Sequence, residues 1–253
     1  DSMVAHYTAA KKRRHDDAYT PGGMGGKRPD RAATVYAMLA RRAFPDTPVI
    51  LGGIEASLRR FAHYDYWSDQ IMPSILSSSG ADALMYGMGE HSVVELARAF
   101  KAGKKGNDLW RTIRGMGYFA HPGEDIPFPA VECPSYEDVL ADKAAYARSV
   151  MLQYEQADHV RGKAVLQHHG KRIFVQNPPA LPLTTAEMDK VYGLPYMRTY
   201  HPSYEALGGV PAIQEVQFSI IHNRGCFGAC NFCSLPFHQG RDIQARSHES
   251  VVH

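Results

Sequence analysis

Cys226, Cys230 and Cys233 stand in the run Gly225-Cys226-Phe227-Gly228-Ala229-Cys230-Asn231-Phe232-Cys233, a CxxxCxxC pattern. Three thiols this close can point into one loop, and three soft thiolates can hold three irons of a cubic iron–sulfur cluster. The fourth iron then lacks a protein ligand, so a small molecule can coordinate there and receive an electron. Zinc is the main competing reading, because a structural zinc site closes with four ligands and His222 or His238 could supply the last. Against zinc, its modules usually come as two close cysteine pairs, and no matching pair stands elsewhere in the chain. A disulfide framework suits small secreted scaffolds, whereas this chain has 4 Cys in 253 residues.

The flanks bear on how such a loop would be held. Glu215-Val216-Gln217-Phe218-Ser219-Ile220-Ile221 alternates apolar side chains and predicts a strand that runs into His222-Asn223-Arg224-Gly225. Downstream, Ser247 can cap a helix beginning His248-Glu249-Ser250-Val251-Val252, with Glu249 in its first turn. The cysteines then lie on a loop between a strand and a helix, where α/β barrels place their chemistry. Gly225 and Gly228 have no Cβ and let the backbone curl around a bulky inorganic core.

Cys226-x-x-x-Cys230-x-Phe232-Cys233 after a strand resembles the signature of the radical S-adenosylmethionine enzymes. The stretch Ser234-Leu235-Pro236-Phe237-His238-Gln239-Gly240-Arg241, then Arg246-Ser247, is similar to the segment after the cysteines in several members. Asp16-Asp17-Ala18-Tyr19-Thr20-Pro21-Gly22-Gly23, Leu51-Gly52-Gly53-Ile54-Glu55-Ala56-Ser57-Leu58-Arg59-Arg60 and Ala62-His63-Tyr64-Asp65-Tyr66-Trp67-Ser68-Asp69 narrow the resemblance to the YgiQ family. So does Gly26-Lys27-Arg28-Pro29-Asp30-Arg31. The resemblance implies that Cys226, Cys230 and Cys233 bind a 4Fe–4S cluster. It further implies that S-adenosylmethionine occupies the free iron and is cleaved reductively to a 5′-deoxyadenosyl radical, with Phe232 near the adenine. An electron donor of the reductase, flavodoxin or ferredoxin type is implied as a partner, while the substrate is left unidentified.

Composition agrees with such an enzyme. A length of 253 residues allows a sizeable core in one or two domains. No apolar run approaches the roughly 20 residues of a membrane span, and no secretory signal opens the chain. Sparse cysteine suits the reducing cytoplasm, which a reduced cluster also prefers. The formal net charge of +2 gives no argument for a nucleic-acid partner. Because it starts at Asp1 and stops at His253, one turn into the proposed helix, the chain is expected to be a catalytically silent piece of a longer enzyme.

The expected fold is α/β: a Rossmann-like parallel sheet region over 1–126, a helical, hairpin and proline-rich connector over 127–212, and the first βα unit of a truncated radical S-adenosylmethionine partial barrel over 213–253. Helices are expected at Ala32–Phe44, with Pro29 as a first helical position, and at Ile71–Leu76, His91–Phe100 and Tyr136–Gln156. Val49-Ile50-Leu51 and Ala83-Leu84-Met85-Tyr86 read as strands ending at Gly52 and Gly87. Val165–His169 and Arg172–Gln176 flank Gly170-Lys171 as a hairpin. This order suggests parallel units with right-handed crossovers.

Other features carry less. Gly22-Gly23-Met24-Gly25-Gly26-Lys27 lacks the Walker spacing and is expected to be a turn. Lys27 and Arg28 beside a helix start near Pro29 could hold an anion. Tyr64-Asp65-Tyr66-Trp67 is expected to pack, with a domain interface or substrate channel as the alternative. His168-His169 alternates faces on a strand, so a surface role is expected. The DxHxxG pattern of a cobalt-ligating histidine is absent. Two function classes stay open: a radical enzyme, or a non-enzymatic iron–sulfur or zinc module for electron transfer or partner binding. A fourth cysteine ligand would favour the module, and Cys133 is the candidate.

Overall fold

The structure, a computed structural model, describes residues 2–228 and 230–252, with Ser2 described by its backbone alone. In chain order its helices are α1 (Ser2–His6), α2 (Ala32–Ala43), α3 (Gly53–Leu58), α4 (Leu76–Ser79), α5 (Glu90–Lys101), α6 (Tyr136–Ala141), α7 (Lys143–Glu155), α8 (Thr185–Tyr192), α9 (Ile213–Val216), α10 (Leu235–His238) and α11 (His248–Val252). Its strands are β1 (Ile50–Leu51), β2 (His63–Asp65), β3 (Gln70–Met72), β4 (Ala83–Met85), β5 (Met116–Ala120), β6 (Ala130–Cys133), β7 (Ala164–His169), β8 (Arg172–Gln176), β9 (Asn223–Arg224) and β10 (Gln244–Ala245). The chain forms two compact units, one of residues 1–35, 183–224 and 243–253, the other of 36–182 and 225–242.

The second unit is built on a six-stranded sheet in the order β1-β4-β5-β8-β7-β6. It takes strands from both sides of residue 126. The α/β class holds, but the sheet is mixed rather than parallel. β1 pairs parallel to β4 and β6 parallel to β7, whereas β4–β5, β5–β8 and β8–β7 are antiparallel. The reversal has a local cause between β4 and β5. α5 carries the chain away and back as a crossover would, but residues 102–115 then return along it. Ser92 Oγ donates to the Arg114 carbonyl at 2.7 Å, and Tyr86 N–H donates to the Gly115 carbonyl at 2.9 Å. β5 therefore starts at the end where β4 finishes.

One sheet face buries Ala83, Met116, Tyr118 and Val175 against Leu96 and Ala99 of α5 and against Trp110 and Ile113. Ser92, Leu96 and Ala99 recur at helical spacing, and Glu90 opens α5 where the helix dipole favours a negative charge. Around Gly117, the ring of Phe174 and Leu84 Cδ1 lie so close that a Cβ would sit 2.8 Å from Phe174 Cζ. A side chain at 117 has no room.

Several sequence expectations change for identifiable reasons. The long helix at 136–156 is two helices, because Asp142 takes an extended conformation and accepts hydrogen bonds from Ala144 N–H and Ala145 N–H as the cap of α7. Ile71 lies in β3 opposite Tyr64, not in a helix, and the helix begins after Pro73 at Leu76. The β2–β3 hairpin buries Asp65, which accepts from Ser68 N–H at 3.0 Å, while Tyr64 and Tyr66 stay about half exposed. Core packing therefore does not account for those two tyrosines. His169 is buried rather than superficial; it stacks on Tyr136, and burial holds its pKa down near 4.

In the first unit, the glycine run is a turn. Gly22 has φ 69° and donates to the Gly209 carbonyl at 2.8 Å, and a Cβ there would lie 2.7 Å from the Leu207 carbonyl oxygen. α2 starts at Ala32, three residues after Pro29. Arg28, read as a candidate anion ligand, instead forms a two-bond fork on the Asp17 carboxylate at 2.7 and 2.9 Å. α8 carries the Thr184–Glu187 capping box, and α11 begins as expected, with Ser247 Oγ accepting from Ser250 N–H at 3.1 Å.

The alternating segment 215–221 is not a strand. It begins as the single turn α9 and leaves Val216, Phe218, Ile220 and Ile221 exposed, Phe218 to 90 %. An isolated strand has no ladder to satisfy its backbone, so alternation alone does not hold one. The strand leading into the cysteines is the short β9, paired antiparallel with β10. Among the described residues no closed barrel forms, and no helix is long and apolar enough to cross a membrane.

Candidate functional site

The cysteine loop leaves β9 and returns to β10, and its residues 225–242 belong to the second unit. Its base is tied twice: Cys226 N–H donates to the Gly240 carbonyl at 3.1 Å, and Gly225 N–H to the Gln239 side chain at Oε1, 3.2 Å. Gly225 and Gly240 have φ of 87° and 84°, so glycine is required at both ends of the loop. Within it, Cys233 N–H donates to the Cys230 carbonyl at 3.0 Å, a turn that brings the last two cysteines back on each other. Pro236 then stands in the first turn of α10, where its missing N–H costs nothing.

Sulfur placement depends on that turn. A Cβ on Gly228 would stand 3.4 Å from Cys226 Sγ and 3.8 Å from Cys230 Sγ, so both sulfurs flank the open side of this glycine. Cys226 and Cys233 are partly buried and Cys230 is exposed. Among the described residues no three His, Cys, Asp or Glu side chains are gathered as a metal-holding group. The fold supplies one tied loop, three thiols on it and room beside Gly228. Three soft thiols are the donor type of a thiolate-bound cluster, and the structure sets two of their sulfurs, Cys226 and Cys230, beside Gly228 without gathering all three.

A test of the fit lies at Gly228. Its φ is outside the left-handed region and the contacts of an added Cβ are ordinary, so Gly228→Ala is expected to fold normally. The methyl would occupy the space between two sulfurs and is expected to lower iron retention severalfold after anaerobic reconstitution. Equal iron content and equal loss rate in the two proteins would show that this space is not used.

Cys133 and, through Nδ1, His238 are engaged elsewhere. Cys133 ends β6 in the core, with its Sγ 3.0 Å from Ser149 Oγ and 3.7 Å from Gln167 Nε2, and burial pushes its thiol pKa up. His238 Nδ1 is 2.9 Å from Ser57 Oγ, and burial, with the nearby Arg60 charge, disfavours its imidazolium. His222 is exposed and belongs to the first unit. Phe232 is 88 % exposed, so its ring is not a core element beneath the loop. Phe227, also on the loop, is exposed as well.

Sequence reasoning passed over the surroundings of α10. Phe237 meets the Tyr154 ring at 6.0 Å, and the Arg241 guanidinium sits 3.6 Å above the same ring. His159 and Asp242 pair at 2.7 Å. On the other side, Ser57 of α3 meets the segment through His238, and its hydroxyl also accepts from Gly87 N–H at 3.0 Å, just past β4. Ser57 and Arg60 stand in the string after Gly52-Gly53, but nothing in the local pattern marks them as polar groups bound for the interior.

Residues 1–219 match the family model described as "Radical SAM N-terminal". The chain is 53 % identical, over its whole length, to a UPF0313 protein of Clostridium botulinum (strain 657 / Type Ba4), of which it covers 39 %. It is 49 % identical, again over its whole length, to a UPF0313 protein of Clostridium perfringens (strain SM101 / Type A), of which it covers 38 %. The chain thus spans about two fifths of the length of these curated relatives. No solved structure matches it. With a family model covering most of its residues and such relatives over all of them, the chain belongs to the radical S-adenosylmethionine superfamily, in the UPF0313, YgiQ-like family.

Proposed function

We propose that Cys226, Cys230 and Cys233 hold a 4Fe–4S cluster and that the protein of which they are part is a radical S-adenosylmethionine enzyme with an unidentified substrate. The observation that carries this reading is the tied loop with three thiols and the space at Gly228. The burial of Cys133 supports it, since a fourth thiolate would close the open coordination position. When bound, such a cluster supplies one electron to S-adenosylmethionine, whose reductive cleavage yields a 5′-deoxyadenosyl radical.

The chain's own residues then bind and orient. The loop that carries the three thiols is held at its base by the ties at Gly225, Cys226, Gln239 and Gly240. Phe232, one residue before the last of them, presents an uncovered ring on which the adenine stacks. Because the relatives are about two and a half times as long (the chain covers 39 % of one), catalysis is proposed for the whole protein. The low cysteine content of these 253 residues suits the cytoplasm, with a reductase or a flavodoxin- or ferredoxin-type donor providing the electron.

Titration of the anaerobically reconstituted whole protein with S-adenosylmethionine, followed by electron paramagnetic resonance of the reduced cluster, tests the reading. A saturable spectral change is expected. Zinc uptake without iron, or a cluster blind to S-adenosylmethionine, would favour a module for electron transfer or partner binding. In the same titration Phe232→Ala is expected to weaken binding about five- to a hundredfold with iron content unchanged, from the ~1–3 kcal/mol of base–aromatic stacking. Unaltered binding in this variant would remove Phe232 from the site.

A further inference from the structure

Arg60 is 4 % exposed and has no carboxylate partner among the described residues. The two acids nearest to it in sequence are taken by its neighbour: Arg59 reaches Glu55 Oε1 at 3.9 Å and Asp65 Oδ1 at 3.6 Å. Arg60 instead donates through Nε to Gln176 Oε1 and through Nη1 to the Ser57 carbonyl. Its guanidinium lies 4.8 Å from the Tyr86 ring and 5.5 Å from that of Phe61. Burial pulls its pKa down to about 10 and pushes the Tyr86 phenol up, so no anion arises there to balance the charge. A buried cation without a counter-ion is costly, and one held by neutral groups alone is placed to receive an anion.

The second group at this place is His238, five residues past the last cysteine of the loop. It shares Ser57 with Arg60: the imidazole Nδ1 is on the hydroxyl, and the guanidinium is on the carbonyl. Arg60 Nη2 and His238 Nε2 have no hydrogen-bond partner among the described residues. Two free nitrogens thus stand on side chains that converge on one serine.

We propose that Arg60 and His238, held by Ser57, bind a small oxyanion: the carboxylate or phosphate group of a ligand that docks beside the cysteine loop. Arg60 supplies the charge and a planar donor edge, and neutral His238 supplies a directional second bond from Nε2–H. Ser57 is a positioning residue. This site goes beyond the cluster reading, and it can be tested before any iron is introduced.

Melting of the iron-free protein is followed while sodium phosphate or sodium succinate is raised against sodium chloride of equal ionic strength. A saturable rise with one of the two anions is expected, and the anion that saturates identifies the group recognised. Arg60→Met is expected to weaken that response about tenfold or more, the scale of a lost charge-assisted hydrogen bond, while its melting temperature without anion is set by two opposing effects, relief of the buried charge and loss of the donors to Gln176 and Ser57. His238→Gln should weaken it severalfold. A wild-type protein that responds to neither anion beyond chloride overturns the proposal, whatever the variants do. So does a response that Arg60→Met leaves unchanged, or a lower melting temperature for that variant with no anion response to lose, since Arg60 is then only a structural strut. Should Arg60→Met not fold, an unchanged response in His238→Gln overturns the two-residue site.

Discussion

Changing Cys226, Cys230 or Cys233 to Ala is expected to remove most of the iron that the whole protein takes up on anaerobic reconstitution, from about four irons per chain. In the proposed cluster, losing one thiolate would strip a ligand from a site whose fourth iron would already have none from the protein. Cys133→Ala should keep its iron, because that sulfur is enclosed by Ser149 and Gln167. Its cost is confined to packing and a weak hydrogen bond, about 1 kcal/mol of stability. Iron and sulfide assays on the four variants check both halves. Cluster loss in Cys133→Ala, or full iron in any of the other three, sinks the assignment.

Arg28→Met is expected to lower the stability of the protein by about 3 kcal/mol at pH 7, the cost of leaving a buried carboxylate without its cation. The asymmetry of exposure decides the direction. Asp17 is 1 % exposed at its side chain and cannot reach water, whereas Arg28 is 25 % exposed and can. Asp17→Asn should therefore cost less than Arg28→Met, and the double variant less than the two costs added. Burial alone would raise the Asp17 pKa, but the hydrogen bonds from Arg28, Thr20 and Tyr19 N–H outweigh it and hold it at about 2, below the ordinary 3.8. The stabilisation is then complete above about pH 4 and fades as pH falls through 2, where the native carboxylate protonates. Urea denaturation of the three proteins at pH 7, and of the wild type from pH 5 downward, measures this. Equal midpoints for Arg28→Met and wild type would show that Asp17 finds another counter-charge.

Features that depend on neighbours a few residues away can be read along the chain. The CxxxCxxC run, Gly225 just before it, α2, α5, the β7–β8 hairpin about Gly170 and the cap of α11 at Ser247 all come from spacing, caps or turn residues. The strings that carry the family resemblance were legible in the same way, as short contiguous words.

Features that depend on distant partners emerge only once the chain is folded. Strand sense was one such thing: the β4–α5–β5 order looks like a parallel crossover, and only the return of residues 102–115, pinned at Ser92 and Gly115, makes β5 antiparallel. Alternation over 215–221 promised a strand, yet pairing needs a neighbour's backbone, and none meets it among the described residues. Cys133 has the same side chain as the loop cysteines, and its removal from the site comes from the core that closes over β6. Arg59 and Arg60 are adjacent and chemically identical in the sequence. The chain's path gives one of them Glu55 and Asp65 and turns the other into the interior without an acid, because charge pairing is settled by geometry across the fold and not by order along the chain.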